Sequence, residues 1–356
     1  MEATCSSTPS HPVRRAAVAG LLVLAIAAGG LFYYKWTGSW TAVEKVRGAG
    51  RFVPKGEAIS TQGMTPLAVP FIRTANYLAI VWPALVFGVL IAGAVRTFQP
   101  PGWLGGLLGP GTARQQIAAG VASAPLMLCS CCIAPIFSSV YQKTRKLGPS
   151  LAVMIGSPSL NLAAIVLTFL LLPIQAGIAR VAMAVTTVFL VTAILGRIFG
   201  RTRLASPAPD SASCAVDGAP PSDTFAAGLA AFARSIGWVA LRTVPLVLLG
   251  IFLSALLVDS LPGEFPQDGF GRVAVIGAVA AVAVLIALPT FFELPLALTL
   301  VGLGAPLGAA AAVLFAGPAV NLPSLFTVAR ETSWKVAAAV GGAVWLVAFT
   351  GGLLVG

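Results

Sequence analysis

Leu128-Cys-Ser-Cys-Cys-Ile-Ala-Pro-Ile136, followed by Leu147-GPSLAVMIGSPSLN-Leu162, has a gap-free counterpart further along the chain. The counterpart reads Leu288-Pro-Thr-Phe-Phe-Glu-Leu-Pro-Leu296, then Leu307-GAAAAVLFAGPAVN-Leu322. Pro135 pairs with Pro295, Gly148 with Gly308, Pro158 with Pro318 and Asn161 with Asn321, always at an offset of 160 residues. Upstream, a P-x4-G pattern recurs as Pro83…Gly88 and Pro245…Gly250. Duplicated apolar segments interrupted by Pro and Gly at corresponding places point to a transporter whose substrate site lies between the repeats. The copies differ chemically. The first carries Cys129, Cys131 and Cys132, while the second has Glu293 at the position of Ile133.

Working outward, the 356 residues are 58% hydrophobic and 9% charged, with mean hydropathy +0.94. Soluble domains carry roughly 25% charged residues, so this chain lacks the polar surface to be one. Apolar runs long enough to cross about 30 Å of hydrocarbon recur throughout. The expectation is an all-α polytopic membrane protein with about nine transmembrane helices, built from two tandem four-helix repeats with Pro/Gly-broken helices. Spans are expected near 16–34, 74–96, 115–141, 148–172, 178–199, 236–258, 272–302, 306–328 and 335–355.

The segments divide as follows. Residues 1–72 hold a first span and a polar basic connection, and 73–200 form the first repeat. A Pro/Ser/Ala-rich stretch, 201–233, reads as a flexible linker, and 234–356 form the second repeat. The N-terminus is similar to a signal peptide, but its apolar run continues to Lys35, which favours a retained span. Four crossings per repeat make the repeats parallel; if the Cys and Pro295 segments are re-entrant hairpins instead, the repeats are inverted. The sequence leaves both open.

The net charge of +11 sits in short loops, which argues for membrane orientation rather than nucleic-acid binding. Nine crossings gather Lys35, Lys45, Arg47, Arg51, Lys55, Arg73, Lys143, Arg145, Lys146, Arg197, Arg201 and Arg203 on one side. That side becomes cytoplasmic and the N-terminus external, although Arg14 and Arg15 argue the other way. The expected location is the inner (cytoplasmic) membrane, multi-pass, and a homo-oligomer is compatible with the pattern.

Cys129 and Cys132 share a helix face, whereas Cys131 points away from it. Pro135 removes an N–H and clashes with the carbonyl of Cys131, so the helix is expected to open at the cysteines and let three sulfurs converge. Soft thiolates select soft partners such as Cu(I), Zn(II) or trivalent arsenic. The plainer reading is that buried Cys packs as a small hydrophobe. Three thiols within four residues beside a Pro-broken point favour function. Cys5 and Cys214 lie outside the spans and read as bystanders.

Glu293 lies between Pro289 and Pro295 in an apolar run, where an ionisable group is costly and by default functional. It reads as the coupling group, carrying a proton. Asn161, Asn321 and Ser157 are expected to line the site or to satisfy carbonyls freed by Pro158 and Pro318; Ser159 has the same two readings. The expected helix breaks are Pro135, Pro158, Pro295 and Pro318. Met127 and Met154 offer thioethers. The only histidine, His11, precedes the first span, which leaves no bis-His haem ligation in the membrane, and no G-x4-G-K-[ST] motif occurs. No cofactor is expected, and no enzyme constellation is present.

The motif C-S-C-C-I-A-P at 129–135, with L-G-P-S-L-A, S-P-S-L-N and G-P-A-V-N-L-P, resembles the ArsP/YraQ-like family of bacterial permeases. The resemblance spans about 73–356 and maps the family's C-x-C pair onto Cys129 and Cys131, with Cys132 as an extra thiol. It implies a permease, and for the best-known members export of trivalent organoarsenicals. The leading expectation is therefore secondary export of a small thiophilic solute through a Cys-lined site at the repeat interface. A Cu(I) or Zn(II) exporter, with Cys129, Cys131 and Cys132 as metal ligands, is the alternative. A membrane thiol oxidoreductase is the reading from another class.

Overall fold

Hydrocarbon offers no partner to a backbone N–H or C=O, so an apolar chain of this kind satisfies its backbone within helices. The computed structural model describes residues 11–49, 59–60, 65, 68–98, 112–200, 225–257, 269–288 and 291–355, and every regular element among them is helical. The first helix is α1 (His11–Ala49), which runs on well past the expected span end at residue 34. The first repeat comprises α2 (Val69–Phe98), α3 (Thr112–Ser123), α4 (Ser130–Thr144), α5 (Leu147–Ser159) and α6 (Leu162–Leu171). It closes with α7 (Ile174–Val185), a π-helical turn (Thr186–Val191) and α8 (Thr192–Gly200). The second comprises α9 (Phe225–Leu257), α10 (Gly269–Leu285), α11 (Glu293–Gly302), α12 (Leu307–Ala319), α13 (Leu322–Glu331) and α14 (Trp334–Val355). Residues 201–224 of the expected linker lie outside the described residues, and α9 already begins at Phe225.

Among the described residues, four continuous elements are long and apolar enough to cross a membrane, or up to six if each of two bent pairs is one span. The bent pairs are α5–α6, with a 41° bend, and α12–α13, with a 45° bend. The expected count of nine is not confirmed among the described residues, where two of the expected spans, 115–141 and 272–302, double back. At the outer end of the Cys segment, Lys146 Nζ donates to Gln115 Oε1 at 2.9 Å. Along α5, Gln116 lies against Gly148 and Ser123 against Gly156, so α3 runs parallel to α5. The α4–α5 turn at Arg145, with φ 53°, makes α4 antiparallel to α5. Residues 112–144 thus form a re-entrant hairpin with its tip at the cysteines.

The second repeat does the same from the other side. Ile276 packs on Gly308 and Leu288 on Gly317, so α10 is parallel to α12, while a turn with Gly304 at φ 84° reverses α11 into α12. With each bent pair taken as one span, each repeat contributes three crossings and one hairpin among the described residues. Three is odd, and the repeats are therefore inverted rather than parallel. Hydropathy is blind to this difference, because a helix pair that turns back at mid-membrane buries as many apolar residues as one that crosses.

The parity change also redistributes the charges. Arg96 Nη1 donates to Gln142 Oε1 at 2.6 Å, Gln142 Nε2 to Glu331 Oε2 at 2.8 Å, and Ser138 Oγ to Glu331 Oε1 at 2.8 Å. These bonds put the ends of α2, α4 and α13 on one face, with Lys143, Arg145 and Lys146. Helix α1 passes Phe87 of α2 at Gly30 and packs Val43 and Val46 near Leu172 and Ala176, so it ends on the opposite face. Lys45, Arg47 and Arg73 consequently lie on the face opposite Lys143, Arg145 and Lys146, correcting the expected single basic side.

Candidate functional site

The first hairpin tip is built from three irregular steps. A 3₁₀ turn (Ala124–Leu126) leads into Met127 in the left-handed region, φ 49°, and then Cys129 in extended conformation as the N-cap of α4. This opens the chain before the cysteines. Pro135 sits inside continuous α4, which corrects its expected role as the break. With Cys129 folded back over the first turn, its Sγ lies 3.2 Å from Cys131 Sγ and 3.0 Å from Cys132 Sγ; Cys131 and Cys132 are 3.9 Å apart. All three are buried free thiols, and the set could hold one metal or metalloid centre. Neighbours hold it in place. Gly88 of α2 lies against the carbonyl of Cys132, where a Cβ would stand 2.5 Å from that oxygen. The hydroxyl of Ser157 accepts from Leu128 N at 3.0 Å, fixing the tip to α5.

The second tip places Phe291 at φ 77°, a strained value for a bulky residue, and starts α11 at Glu293. Pro295 falls in the first turn of α11, where no intrahelical N–H is needed, so it too follows the break rather than making it. Glu293 is 2% exposed. Its Oε1 accepts from Arg180 Nη2 of α7 at 3.0 Å. Arg180 Nη1 in turn donates to Thr168 Oγ1 at 2.7 Å and Ala164 O at 3.4 Å, while its Nε has no partner among the described residues. The pair joins the two repeats by one buried ionic bond. Breaking such a pair from one side strands a buried charge.

Leu128, Cys129, Pro158 and Asn161 of the first repeat and Leu288, Glu293 and Pro318 of the second line one cavity of ≈ 10 Å³, space for about one water. Leu128 and Leu288, and Pro158 and Pro318, are repeat equivalents, so the pseudo-twofold relation passes through the cavity. Asn161 accepts from Ala164 N at 3.3 Å and caps α6. Asn321 and Ser324 form a reciprocal capping box on α13, leaving Asn321 Nδ2 buried and without a partner among the described residues. Helices α4, α6, α11 and α13 all begin near this level, at Ser130, Leu162, Glu293 and Leu322. Such ends favour anionic ligand atoms. Met154 is a fully buried packing residue, and Ser159 Oγ has no hydrogen-bond partner among the described residues. Cys5 and Cys214 lie outside the described residues.

Two residues of the site escape sequence reasoning. Arg180 carried a readable signal, a lone arginine inside an apolar span. Tyr77 of α2, with Oη 3.3 Å from Cys131 Sγ, carried none.

Inverted repeats with broken helices meeting at a buried polar site are an architecture of membrane transporters. A family model described as "Predicted permease" (ArsP_1) matches residues 70–356, and the chain belongs to that family. It is 25% identical to the protein YraQ of Escherichia coli K12 over 353 residues, covering 97% of this chain and 94% of YraQ. It is also 28% identical to the protein MJ0584 of Methanocaldococcus jannaschii over 118 residues, 33% of this chain and 32% of that one. No solved structure matches it.

Proposed function

We propose that this permease exports a small thiophilic solute, foremost a trivalent organoarsenical, held by Cys129, Cys131 and Cys132. The observation that carries the reading is three buried sulfurs within 4.8 Å of one another at the meeting point of the repeats. For a methyl- or arylarsenic(III) hydroxide, each ligation forms an As–S bond, breaks As–O and S–H, and releases water. Two thiols suffice for such a centre. The third favours a second reading, a three-coordinate soft cation such as Cu(I).

The cavity has no room for a methylarsenical, so loading requires the two tips to part. Glu293 is the coupling group in this reading. A proton on it would leave Arg180 uncompensated and weaken the tie between α7 and α11. Asn161, Asn321 and Ser157 hold the half-helix ends and the tip in register around the solute. Lys143, Arg145, Lys146, Arg197 and Lys335 share a face, and the retention of bases on the inner side makes that face cytoplasmic. The start of α1 then lies on the cytoplasmic side of an inner-membrane protein.

The test is accumulation in a cell expressing the chain. Lower cellular arsenic after exposure to phenylarsine oxide, lost in a Cys129/Cys131/Cys132 triple-serine variant, is the expected result. Lower copper with unchanged arsenic favours the second reading. Full arsenical resistance in the triple-serine variant removes the thiols from the mechanism.

A further inference from the structure

We propose that Tyr77 is a positioning residue that transmits ligation at Cys131 to the tip of the second hairpin; the inference rests on the thiol site proposed above. Tyr77 is 7% exposed on α2. Its Oη stands 3.3 Å from Cys131 Sγ of the first repeat and 3.3 Å from the carbonyl oxygen of Leu288, at the tip of the second. One turn further along α2, the carbonyl of Val81 faces Cys132 Sγ at 3.9 Å, so this stretch of α2 follows the thiol cluster closely.

The proton count gives the arrangement a direction. A carbonyl only accepts, so the single phenol hydrogen lies on Leu288 O. The contact with sulfur is then made by the Cys131 S–H, donating to the phenol oxygen. The free site holds a chain of bonds, Cys131 S–H to Tyr77 O–H to Leu288 C=O. When a soft ion binds, an S–metal bond replaces S–H and the proton leaves to solvent; an arsenical hydroxide removes it as water. In a covalent As–S bond the sulfur is neutral; bound to a cation it has nothing to donate and keeps its thiolate charge. A charged acceptor outcompetes a neutral carbonyl, so the phenol hydrogen turns to sulfur and the Leu288 carbonyl loses its partner. Filling the thiol site with a cation thereby loosens the second tip, five residues before Glu293. A phenol does this because it has one hydrogen and two claimants from different repeats.

The test uses the full-length protein with Cd(II) as a soft-ion probe, read by sulfur-to-cadmium charge-transfer absorption and amide hydrogen exchange of a peptide covering 280–288. In the wild type, Cd(II) raises exchange in that peptide about three- to tenfold, the effect of losing one net hydrogen bond. Tyr77→Phe keeps the ring; it takes up the same Cd(II) stoichiometry, and its exchange is already raised and insensitive to loading. Cys131→Ala, which keeps the Tyr77–Leu288 bond, stays at the unloaded level with or without Cd(II), and decides the matter should Tyr77→Phe fail to fold. An equal Cd(II)-induced rise in wild type and Tyr77→Phe overturns the proposal, as does Cd(II) uptake by the wild type with no change in exchange. Absence of charge-transfer absorption in the wild type refutes the thiol site itself, a separate result.

Discussion

Arg180 of the first repeat and Glu293 of the second meet at 3.0 Å with both side chains buried. Each stands where the other repeat has an apolar residue: Glu293 matches Ile133, and Arg180 matches Val340 at the same offset. The duplication has thus been broken on both sides to make one heterologous pair. Removing one partner is far worse than removing both, since a lone buried charge is the costly species. Arg180→Gln should lose about 3–5 kcal/mol of stability. The Arg180→Gln/Glu293→Gln double variant should recover most of it. Unfolding midpoints of the purified proteins check this, and additive losses would show that the two residues do not act as a pair.

Glu293→Gln alone keeps the shape and an amide but cannot ionise. It should still bind solute, read as protection of the thiols against maleimide, and fail to drive uphill export. Transport at the wild-type rate with the same pH dependence would place coupling elsewhere.

The two hairpins open on opposite faces, a direct consequence of inversion. In a Cys5→Ser/Cys214→Ser background, Arg145→Cys and Leu303→Cys should react with a membrane-impermeant maleimide from opposite sides of oriented vesicles. Both positions lie in exposed turns. Parallel repeats would put both labels on the same side.

Gly88 allows α2 to touch the carbonyl of Cys132. Gly88→Ala puts a methyl 2.5 Å from that oxygen, backbone that cannot step aside. About 1–3 kcal/mol of destabilisation is expected, together with weaker Cd(II) ligation at thiols the variant leaves intact. Gly237 of α9 faces open space, and a methyl added there would meet nothing within 4 Å, so Gly237→Ala should be neutral or stabilising. Its gain is at most about 1 kcal/mol, from helix propensity. Thermal unfolding and Cd(II) titration of the two variants give the comparison.

The thiols should not be equivalent to bystanders. Cys129→Ser or Cys131→Ser should reduce resistance to phenylarsine oxide to that of cells without the protein, because an alcohol is a poor ligand for a soft centre. Cys5→Ser and Cys214→Ser should leave it unchanged. Equal expression on immunoblots is the control.

The sequence by itself determined the helical membrane class, the duplication and the permease family. These are properties of composition and of motif spacing, such as Pro158 and Pro318 or Asn161 and Asn321 at one offset, and they need no third dimension. It also marked Glu293 and the three cysteines, because an acid or a thiol cluster inside an apolar run is visible in one dimension. Only the tertiary structure decided that the Cys segment turns back. Direction is fixed by which faces of α3 and α5 pack, through Gly148 and Gly156, and hydropathy carries no record of it. From that reversal follow the inverted repeats and the separation of Arg73 from Lys143. The place of the break was likewise settled by the backbone at Met127 and Cys129 rather than by Pro135, whose missing N–H the helix tolerates. The partners Arg180 and Tyr77 came last. Each is distant in sequence from the group it serves, and packing alone brings such residues together.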